Sequence, residues 1–378
     1  MAYLISEEAQ DLLQDVKNFC EKEIKEQCRE YDLSGEWPKE IYEKIFEQGY
    51  HALEVPEQYG GPGLGYVDTA ALLEQIGMAD AGIGAAIAAH SIGMKAVLIA
   101  GNEEQKQHVC DKILEGSLGA FAITEPGAGS DASAAKTTAV RDGDEWVLNG
   151  RKCFITNGGV ASFYCIGAMT DKSKGVKGMS MFLVDAGTPG LSAGHEENKM
   201  GIRTSNTCDV VLEDCRIPAA NLIGEEGKGF IYAMQALDLG RAWMGCVAVG
   251  IAQRAINEAV AYAKERVQFG KPIVKNQAIQ FKIADMEIKT ETARQMVAHA
   301  VTLMEKKLPV TKESAIAKCY AGDVAMEVAS ECIQIMGGYG YSREYPVEKL
   351  LRDAKIFQIF EGTNEIQRMV IAGKVIGK

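Results

Sequence analysis

The spacing of apolar residues changes twice along this chain of 378 residues, and that change constrains the fold more than any other feature. In the first part, apolar residues recur three and four positions apart, the spacing of one helix face. A clear run contains Ala9, Leu12, Leu13, Val16, Phe19, Cys20 and Ile24. Ser6 is suited to cap the first helix, and Asn102 with Gln105 forms a capping-box pattern. We therefore predict a helical N-terminal domain over residues 1–117.

Short β-rich runs replace the helical spacing near Leu118. Runs of this kind, bounded by turn residues, are typical of strands. They occupy residues 137–140, 145–148, 152–156, 163–169, 179–184 and 208–212. Asp142-Gly143 and Asn149-Gly150 are dipeptides that tolerate the positive φ angles of tight hairpin turns. The pattern predicts a central antiparallel β-domain over residues 118–226.

The helical spacing returns at Gly227. Four long helical segments are predicted near residues 228–264, 274–305, 312–336 and 346–372. Glycine-containing turns separate them. The order is therefore α, then β, then α, without the strand–helix alternation of a parallel sheet. We predict an α+β chain whose C-terminal helical domain covers residues 227–378.

Charge and composition disfavour several functional classes. The 40 basic residues against 52 acidic residues give a net charge of −12, which disfavours a surface built around nucleic-acid phosphates or anionic lipid. The acidic Glu7 and Glu8 are the reverse of an Arg-rich transit peptide. The most apolar stretch, residues 79–100, carries Asp80, His90 and Lys95, so no membrane span is predicted. We expect a cytoplasmic protein.

Metal and disulfide chemistry are not predicted either. The ten cysteines include no Cys-x-x-Cys pair, and the five histidines are scattered singly rather than at zinc-binding spacing. We expect the cysteines to be packing thiols in a reducing compartment.

The glycines at 127 and 129 are compatible with two kinds of nucleotide site. Gly127-Ala128-Gly129-Ser130-Asp131-Ala132 approaches the glycine spacing of a Rossmann turn. However, Pro126 precedes it, and β-rich sequence rather than a long helix follows, so nicotinamide binding is disfavoured. The glycines would also let backbone N–H groups approach a flavin, to which Thr124 and Ser130 could offer hydroxyl groups.

The longer segment 121–131 (FAITEPGAGSD) resembles the first signature of the acyl-CoA dehydrogenase family. Further segments match the landmarks of that family, in the family's order, over nearly the full length. They are 57–61 (EQYGG), 149–157 (NGRKCFITN), 199–203 (KMGIR), 213–218 (EDCRIP), 266–272 (RVQFGKP), 334–340 (QIMGGYG) and 359–368 (IFEGTNEIQR). The resemblance is strongest to short-chain members and to related bacterial enoyl-CoA reductases.

The resemblance implies a fold, a cofactor and partners. The fold is a helical N-terminal domain, a central β-domain and a C-terminal four-helix bundle, assembled as a homotetramer. The cofactor is FAD, and electrons are exchanged with an electron-transferring flavoprotein. Residues implied at the flavin ring are Phe121, Ile123, Thr124, Gly129, Ser130, Phe154, Ile155 and Thr156. Phe154 stands where many relatives have Trp, which would preserve a stacking contact in altered form.

The resemblance also assigns FAD contacts farther along the chain. The residues that match contacts to the FAD of a neighbouring subunit are Arg266, Gln277, Gln334, Gly337 and Gly338. Phe269 is also assigned to the cofactor by the resemblance. Those on the pyrophosphate side are Thr363, Asn364 and Glu365. An arginine suits a diphosphate because its planar guanidinium group can donate two parallel charge-assisted bonds.

For the substrate, the resemblance implies contacts from Ser130, Asp238, Arg241 and Gly362 to a coenzyme A thioester. Some relatives carry the catalytic glutamate at the position of Gly240, but glycine occupies it here, so the resemblance assigns the base to Glu361. That base would remove the α-proton while hydride leaves the β-carbon for flavin.

Three functions remain open at this point. The first is the interconversion of a short-chain acyl-CoA and its trans-2-enoyl-CoA, in either direction. The second keeps the fold and flavin but reacts with oxygen, and the third is a non-catalytic scaffold that binds acyl-CoA or a protein. By resemblance, residues 85–95 and the helix after Arg241 form the pocket floor, where Trp243 and Met244 are bulky. A short straight acyl chain is expected, with an aromatic (cinnamoyl-type) thioester as the alternative.

Overall fold

The computed structural model describes residues 3–377 and begins with a group of helices. They are α1 (Glu7–Phe19), α2 (Cys28–Ser34), α3 (Lys39–Glu47), α4 (Tyr66–Ala79), α5 (Ala81–Ala100) and α6 (Glu103–Leu114), with a π-helical turn at Cys20–Lys25. Ser6 Oγ accepts a hydrogen bond from the Ala9 N–H at 3.1 Å, and Asn102 with Gln105 forms the capping box. Both predicted caps are confirmed.

Helix α5 lies in the centre of the protein. By length and hydropathy it could cross a membrane, and it is the only helix within residues 3–377 that could. However, 83% of its most apolar window is buried inside the fold. Burial on all sides explains why this helix is apolar all round rather than amphipathic.

The central region is an eight-stranded sheet. Its strands are β1 (Leu118–Ala122), β2 (Thr138–Asp142), β3 (Glu145–Thr156), β4 (Ala161–Met169), β5 (Met179–Asp185), β6 (Leu191–Glu196), β7 (Thr207–Pro218) and β8 (Leu222–Ile223). They lie in the order β6-β7-β3-β2-β4-β5-β8, with β1 added beside β4. The long ladders are antiparallel, as predicted, except that β1 runs parallel to β4. This places the end of β1 next to the middle of the sheet.

One of the two predicted hairpin turns is wrong. Asp142 and Glu145 do flank a hairpin, with Gly143 at φ 60°. In contrast, Asn149-Gly150 lies inside β3, where the register against β7 shifts by a bulge. The Asn149 side chain bonds across the bulge to Asp214, donating to Oδ1 at 3.1 Å and accepting from the backbone N–H at 2.8 Å. The dipeptide therefore bends a strand instead of ending one.

The last region is again helical. It contains α7 (Gly229–Glu265), α8 (Gln277–Glu305), α9 (Thr311–Met336), α10 (Val347–Ile356) and α11 (Asn364–Ile376), with a small hairpin of β9 (Val267–Gln268) and β10 (Lys271–Pro272). The segment 346–372, predicted as one helix, is two helices. They are separated by a turn in which Glu361 and Gly362 both have positive φ, at 54° and 88°.

Buried ion pairs join the three regions on one side of this turn. Lys349 Nζ in α10 lies 2.8 Å from Asp80 Oδ2 at the start of α5. About one helical turn later in α10, Arg352 Nη2 lies 2.6 Å from Asp32 Oδ2 in α2. Asp353 Oδ1 accepts a bond of 2.6 Å from the Ile202 N–H of the β-region. Helix α10 is thereby fixed against both other regions, which also fixes the direction in which the Glu361 turn leaves it.

Candidate active site

Two strand ends meet to form the first part of the candidate site. The segment after β1 and the end of β3 are joined by a hydrogen bond of 3.0 Å from the Cys153 N–H to the Thr124 carbonyl. Lys152, which is fully buried, donates from Nζ to the Ile123 carbonyl at 3.1 Å and to Glu125 Oε1 at 2.7 Å. The structure thus brings residues 121–130 together with residues 154–156.

The Glu125 carboxylate fixes the shape of the loop that follows β1. It accepts backbone hydrogen bonds from Lys136 at 2.6 Å and Thr137 at 3.0 Å, in addition to the bond from Lys152. Burial opposes the charge of Glu125, but Lys152 and these donors outweigh it and lower the pKa of Glu125. Burial also lowers the pKa of Lys152, and Glu125 opposes that shift. Sequence reasoning missed both residues as members of the site.

Phe154 and the glycine loop form an open surface beside this ion pair. Phe154 is 64% exposed and has a φ of 56°, a strained conformation for a residue with a side chain. Nothing lies within 4 Å of the position that a Cβ atom would take at Gly129. Thr124, Ser130, Thr156 and Phe121 retain exposure, whereas Ile123 and Ile155 are buried beneath them. A flat ring with polar edges fits against such a surface.

A second surface, which we call the open groove, lies between the ends of α7 and α9. It encloses about 650 Å³ and is lined by Tyr262, Arg266, Phe269, Gly337, Gly338 and Tyr339 among others. Phe269 is 98% exposed, and the Arg266 guanidinium group lies 5.3 Å from the centre of the Tyr339 ring. Gln277 and Gln334 are exposed and adjoin the lining residues Asn276 and Ile335 in sequence.

The turn between α10 and α11 carries Glu361, which is half-buried. Gln367 clamps this turn by donating from Nε2 to the carbonyl groups of Glu361 and Gly362, at 3.0 and 2.9 Å. Lys318, on α9, donates from Nζ to the Gly362 carbonyl at 2.8 Å. Burial raises the pKa of Glu361, while Lys318 and Arg241 act to lower it. A carboxylate in this setting is suited to general-base work, since its pKa is drawn toward neutrality.

Arg241 reaches the surroundings of Glu361 from α7. Its side chain is buried and pairs with Asp238, three residues earlier on the same helix. The second carboxylate oxygen of Asp238 accepts a bond of 2.6 Å from Thr311 Oγ1. Burial lowers the pKa of Arg241, and Asp238 and Glu361 oppose that shift. The pair is therefore a buried feature of the site and not a solvated surface ion pair.

Comparison with known proteins shows the family of this chain. Three family models, for the N-terminal, middle and C-terminal domains of acyl-CoA dehydrogenase, match residues 6–117, 120–215 and 227–376. The chain belongs to the acyl-CoA dehydrogenase family. It is 45% identical to acryloyl-CoA reductase (NADH) of Anaerotignum propionicum, over 100% of this chain and 96% of that protein.

Solved structures agree over the whole chain. Butyryl-CoA dehydrogenase from Megasphaera elsdenii has a TM-score of 0.97 and 44% identity, with 100% of each chain covered. The same values describe a chain in a structural study of the electron transferring flavoprotein of Acidaminococcus fermentans. The predicted fold is confirmed, and this member of the family is an oxidoreductase of the flavin-dependent acyl-CoA dehydrogenase and enoyl-CoA reductase group.

For an acyl-CoA dehydrogenase, the residues present fit a flavin at the Phe154 surface and a charged cofactor group at the open groove. The expected contacts Thr363 and Asn364 have internal roles as well. Thr363 Oγ1 caps α11 by accepting from the Ile366 N–H at 3.2 Å. Asn364 is buried and donates to the Cys319 carbonyl at 3.1 Å and to Asp323 Oδ1 at 2.8 Å. Glu365 is exposed in the first turn of α11.

Gly240 is packed closely against α5. A Cβ atom at this position would lie 2.4 Å from Ile92 Cδ1. A glutamate at position 240 would therefore require Ile92 to move, which agrees with the assignment of the base to another residue. No group of three or more His, Cys, Asp or Glu residues suited to a metal ion is found within residues 3–377. All ten cysteines are buried and free, as predicted.

Proposed function

We propose that the protein interconverts a short-chain acyl-CoA and its trans-2-enoyl-CoA, with Glu361 as the base that removes the α-proton. The observation that carries the proposal is the position of Glu361 in a clamped turn near two buried cations, Lys318 and Arg241. The α-proton of a saturated thioester is only weakly acidic. A base with a raised pKa, held in one orientation beside the substrate, meets that demand.

FAD is the cofactor we propose, bound with its ring against Phe154, Thr124, Ser130 and Thr156. When bound, FAD accepts the hydride from the β-carbon. Lys152 and Glu125 hold the two segments that carry these residues, so this chain contributes a rigid surface for one face of the ring. Ser130 and Gly362 are proposed to border the thioester, and Asp238 with Arg241 to orient it.

The far part of the FAD site is proposed to come from a second copy of the chain. Arg266 and Gly338 lie in the open groove on the helical region, with Phe269 almost fully exposed at its edge. Val267 and Tyr339 are exposed near it as well, and an exposed apolar patch rimmed by polar residues is typical of an interaction surface. We propose a homotetramer in which Arg266, Gln277, Gln334 and Gly337 contact the FAD of a neighbouring subunit. The electron-transferring flavoprotein is the proposed redox partner.

The packing behind Gly240 favours a short acyl chain over an aromatic one. Trp243 is 1% exposed, stacks on Tyr66 with 5.9 Å between ring centres, and donates to Ser91 Oγ at 3.2 Å. Beyond Ser91, Lys95 Nζ lies 2.9 Å from Glu54 Oε1, both buried. The cavity lined by Trp243, Ser91 and Glu54 among others is about 20 Å³, room for about one water molecule. A long or flat acyl group would have to displace this network.

The proposal is tested with Glu361→Gln and the matched control Glu104→Gln, which changes an exposed glutamate on α6. General-base contributions are about 10²–10⁴-fold, so we expect turnover of Glu361→Gln to fall by that factor. Exchange of the thioester α-proton with D₂O should fall equally, while FAD content and thioester affinity remain. Glu104→Gln should match the wild type.

Turnover of Glu361→Gln within about threefold of the wild type would place the base elsewhere, since one pKa unit alone corresponds to about tenfold. A panel of acyl-CoA and enoyl-CoA thioesters, titrated anaerobically against the flavin spectrum, tests the chain-length proposal. Oxygen consumption matched to substrate turnover would support the oxidase alternative and contradict the proposed redox partner. A colourless protein that cannot be reconstituted with FAD would revive the non-catalytic scaffold.

A further inference from the structure

The backbone of the Glu361 turn is strained. Glu361 has a φ of 54° and Gly362 a φ of 88°, two successive residues in the left-handed region. For a residue with a side chain, this conformation costs about 1–2 kcal/mol. Such strain persists only where the surroundings hold it. The orientation of the Glu361 carboxylate therefore depends on the groups that bond to this turn.

Lys318 is one of those groups and an unusual one. It is 1% exposed, and its ammonium group donates to the Gly362 carbonyl at 2.8 Å and to Asn364 Oδ1 at 3.1 Å. Across residues 3–377 it has no carboxylate partner in a salt bridge. Burial lowers the pKa of Lys318 to about 8, with Glu361 opposing the shift. A neutral donor could make the same two bonds without the cost of burying a charge.

Among the described residues that face Lys318, Arg241 and Asp323 already have ion-pair partners, whereas Lys318 and Glu361 do not. The ionisable groups that face it are Glu361, Cys319, Arg241 and Asp323. Arg241 is paired with Asp238, so its charge is partly compensated. Asp323 accepts bonds from Asn364 and Gln358 and pairs with Arg368 at 3.0 Å. Burial raises the pKa of Cys319, which keeps that thiol neutral.

We propose that Lys318 is a positioning residue for the base. Its ammonium group holds the Gly362 carbonyl so that the strained turn keeps Glu361 in place, and its charge keeps the Glu361 carboxylate ionised during turnover. This inference rests on the proposed function, in which Glu361 removes the α-proton. Lys318 does not touch the reacting atoms, and its effect passes through Glu361.

The test is the pH dependence of turnover by the FAD-loaded enzyme, in Lys318→Met and Lys318→Gln. Both changes remove the charge, but Gln keeps a hydrogen-bond donor for the Gly362 carbonyl. Without the cation, the Glu361 carboxylate is easier to protonate, so its pKa rises. We expect the acid limb of the kcat profile to move to higher pH by about one unit in both variants. At pH values on the acid side of that limb, turnover should be about tenfold lower than in the wild type.

Further measurements separate positioning from general damage. At high pH, the Lys318→Gln variant should retain more of the plateau rate than Lys318→Met, because its amide group can still donate a hydrogen bond to the Gly362 carbonyl. The KM for the thioester and the FAD content should stay close to the wild-type values. The control is Lys312→Met, which makes the same chemical change at a partly exposed position on the same helix and should leave the profile unmoved.

Two results would overturn the inference. One is an acid limb that coincides with the wild type in both Lys318 variants. The other is loss of the folded, flavin-loaded enzyme in both, which would make Lys318 a residue of the fold rather than of the base. Failure of the proposed function looks different, because in that case Glu361→Gln itself would retain turnover and α-proton exchange.

Discussion

The two parts of the candidate cofactor and substrate site are built in opposite ways. The closed half, which comprises Glu125, Lys152, Lys318 and Glu361 with their neighbours, makes its hydrogen bonds inside one chain. Lys152 and Lys318 are both almost fully buried, and each bonds to backbone carbonyl groups next to a functional segment. The open groove around Arg266 and Phe269 leaves its polar and apolar groups exposed.

This difference separates the proposed catalytic residues from the proposed cofactor contacts of a second chain. In the proposed function, the base and the ring surface belong to the closed half, where the supporting hydrogen bonds come from one chain. Binding that tolerates adjustment is placed at a surface that a second chain can complete. Changes in the closed half should therefore alter the stability of the isolated chain, whereas changes in the open groove should alter only cofactor retention and assembly.

The largest effect is expected from Lys152→Met in the closed half. Removing one partner of a buried ion pair leaves the other charge unpaired and costs about 3–5 kcal/mol. Because Glu125 also holds the loop at residues 123–130, the variant should lose FAD together with stability. Denaturant unfolding of the apoprotein and the ratio of flavin to protein absorbance would measure the two effects.

Lys136→Met is the control for that change, because Lys136 is exposed and its contact with Glu125 is made through the backbone N–H. It should behave as the wild type in both measurements. If Lys152→Met unfolds within about 1 kcal/mol of the wild type and keeps its flavin, the closed half does not depend on this ion pair.

An intermediate effect is expected from Arg266→Ala in the open groove. A hydrogen bond to a charged group contributes about 1.5–3 kcal/mol, so FAD affinity should fall about 10–100-fold. The unfolding free energy of the apoprotein should change by no more than about 1 kcal/mol, since Arg266 is partly exposed and its contact with the Tyr339 ring contributes about 0.5–1 kcal/mol. Fluorescence titration of FAD, repeated at falling protein concentration, would show whether the loss accompanies dissociation of subunits. Unchanged affinity in a dissociated monomer would contradict a shared site.

The same contrast explains what could be predicted from the sequence. The caps at Ser6 and Asn102 were predictable, because a cap depends on residues three positions apart. The order of helical and β-rich regions follows from periodicity, which is also local. The interruption of the helix predicted at 346–372 was missed, although the cap at Thr363 is a local signal for a new helix start. The shape of the turn itself was not predictable, because it is held by Gln367 and by Lys318 from another helix.

Motif resemblance located Glu361 but not the residues that support it. Lys152 lies within a family landmark, yet no spacing rule connects it to Glu125, which is 27 positions earlier. Lys318 sits in a helix of ordinary composition, 44 positions before its partner Gly362. Such pairs depend on how elements pack, and a periodic pattern in one segment carries no information about a distant segment. The open groove was partly predicted because its residues belong to two motifs.

The smallest effect compares two glycine-to-alanine changes, one in each half. At Gly240 the new methyl group would meet Ile92 Cδ1 at 2.4 Å, whereas at Gly338 it would meet nothing within 4 Å. Overpacking costs about 1–3 kcal/mol, since the end of the Ile92 side chain must shift. Replacing Gly by Ala in a helix interior such as that of α7 stabilises the helix by about 1 kcal/mol, which partly offsets the cost of overpacking.

We therefore expect Gly240→Ala to destabilise the apoprotein by up to about 2 kcal/mol, and Gly338→Ala to change it by less than about 0.5 kcal/mol. The order should reverse for FAD retention. Under the proposed shared site, a methyl group at Gly338 would occupy space next to the FAD of a second chain. At Gly240, in contrast, a shift of the Ile92 side chain can accommodate the methyl group. Thermal unfolding of the apoproteins and equilibrium dialysis of FAD measure the two properties. Equal destabilisation by both changes would mean that the groove is packed within the single chain, and the contrast between the two halves would fail.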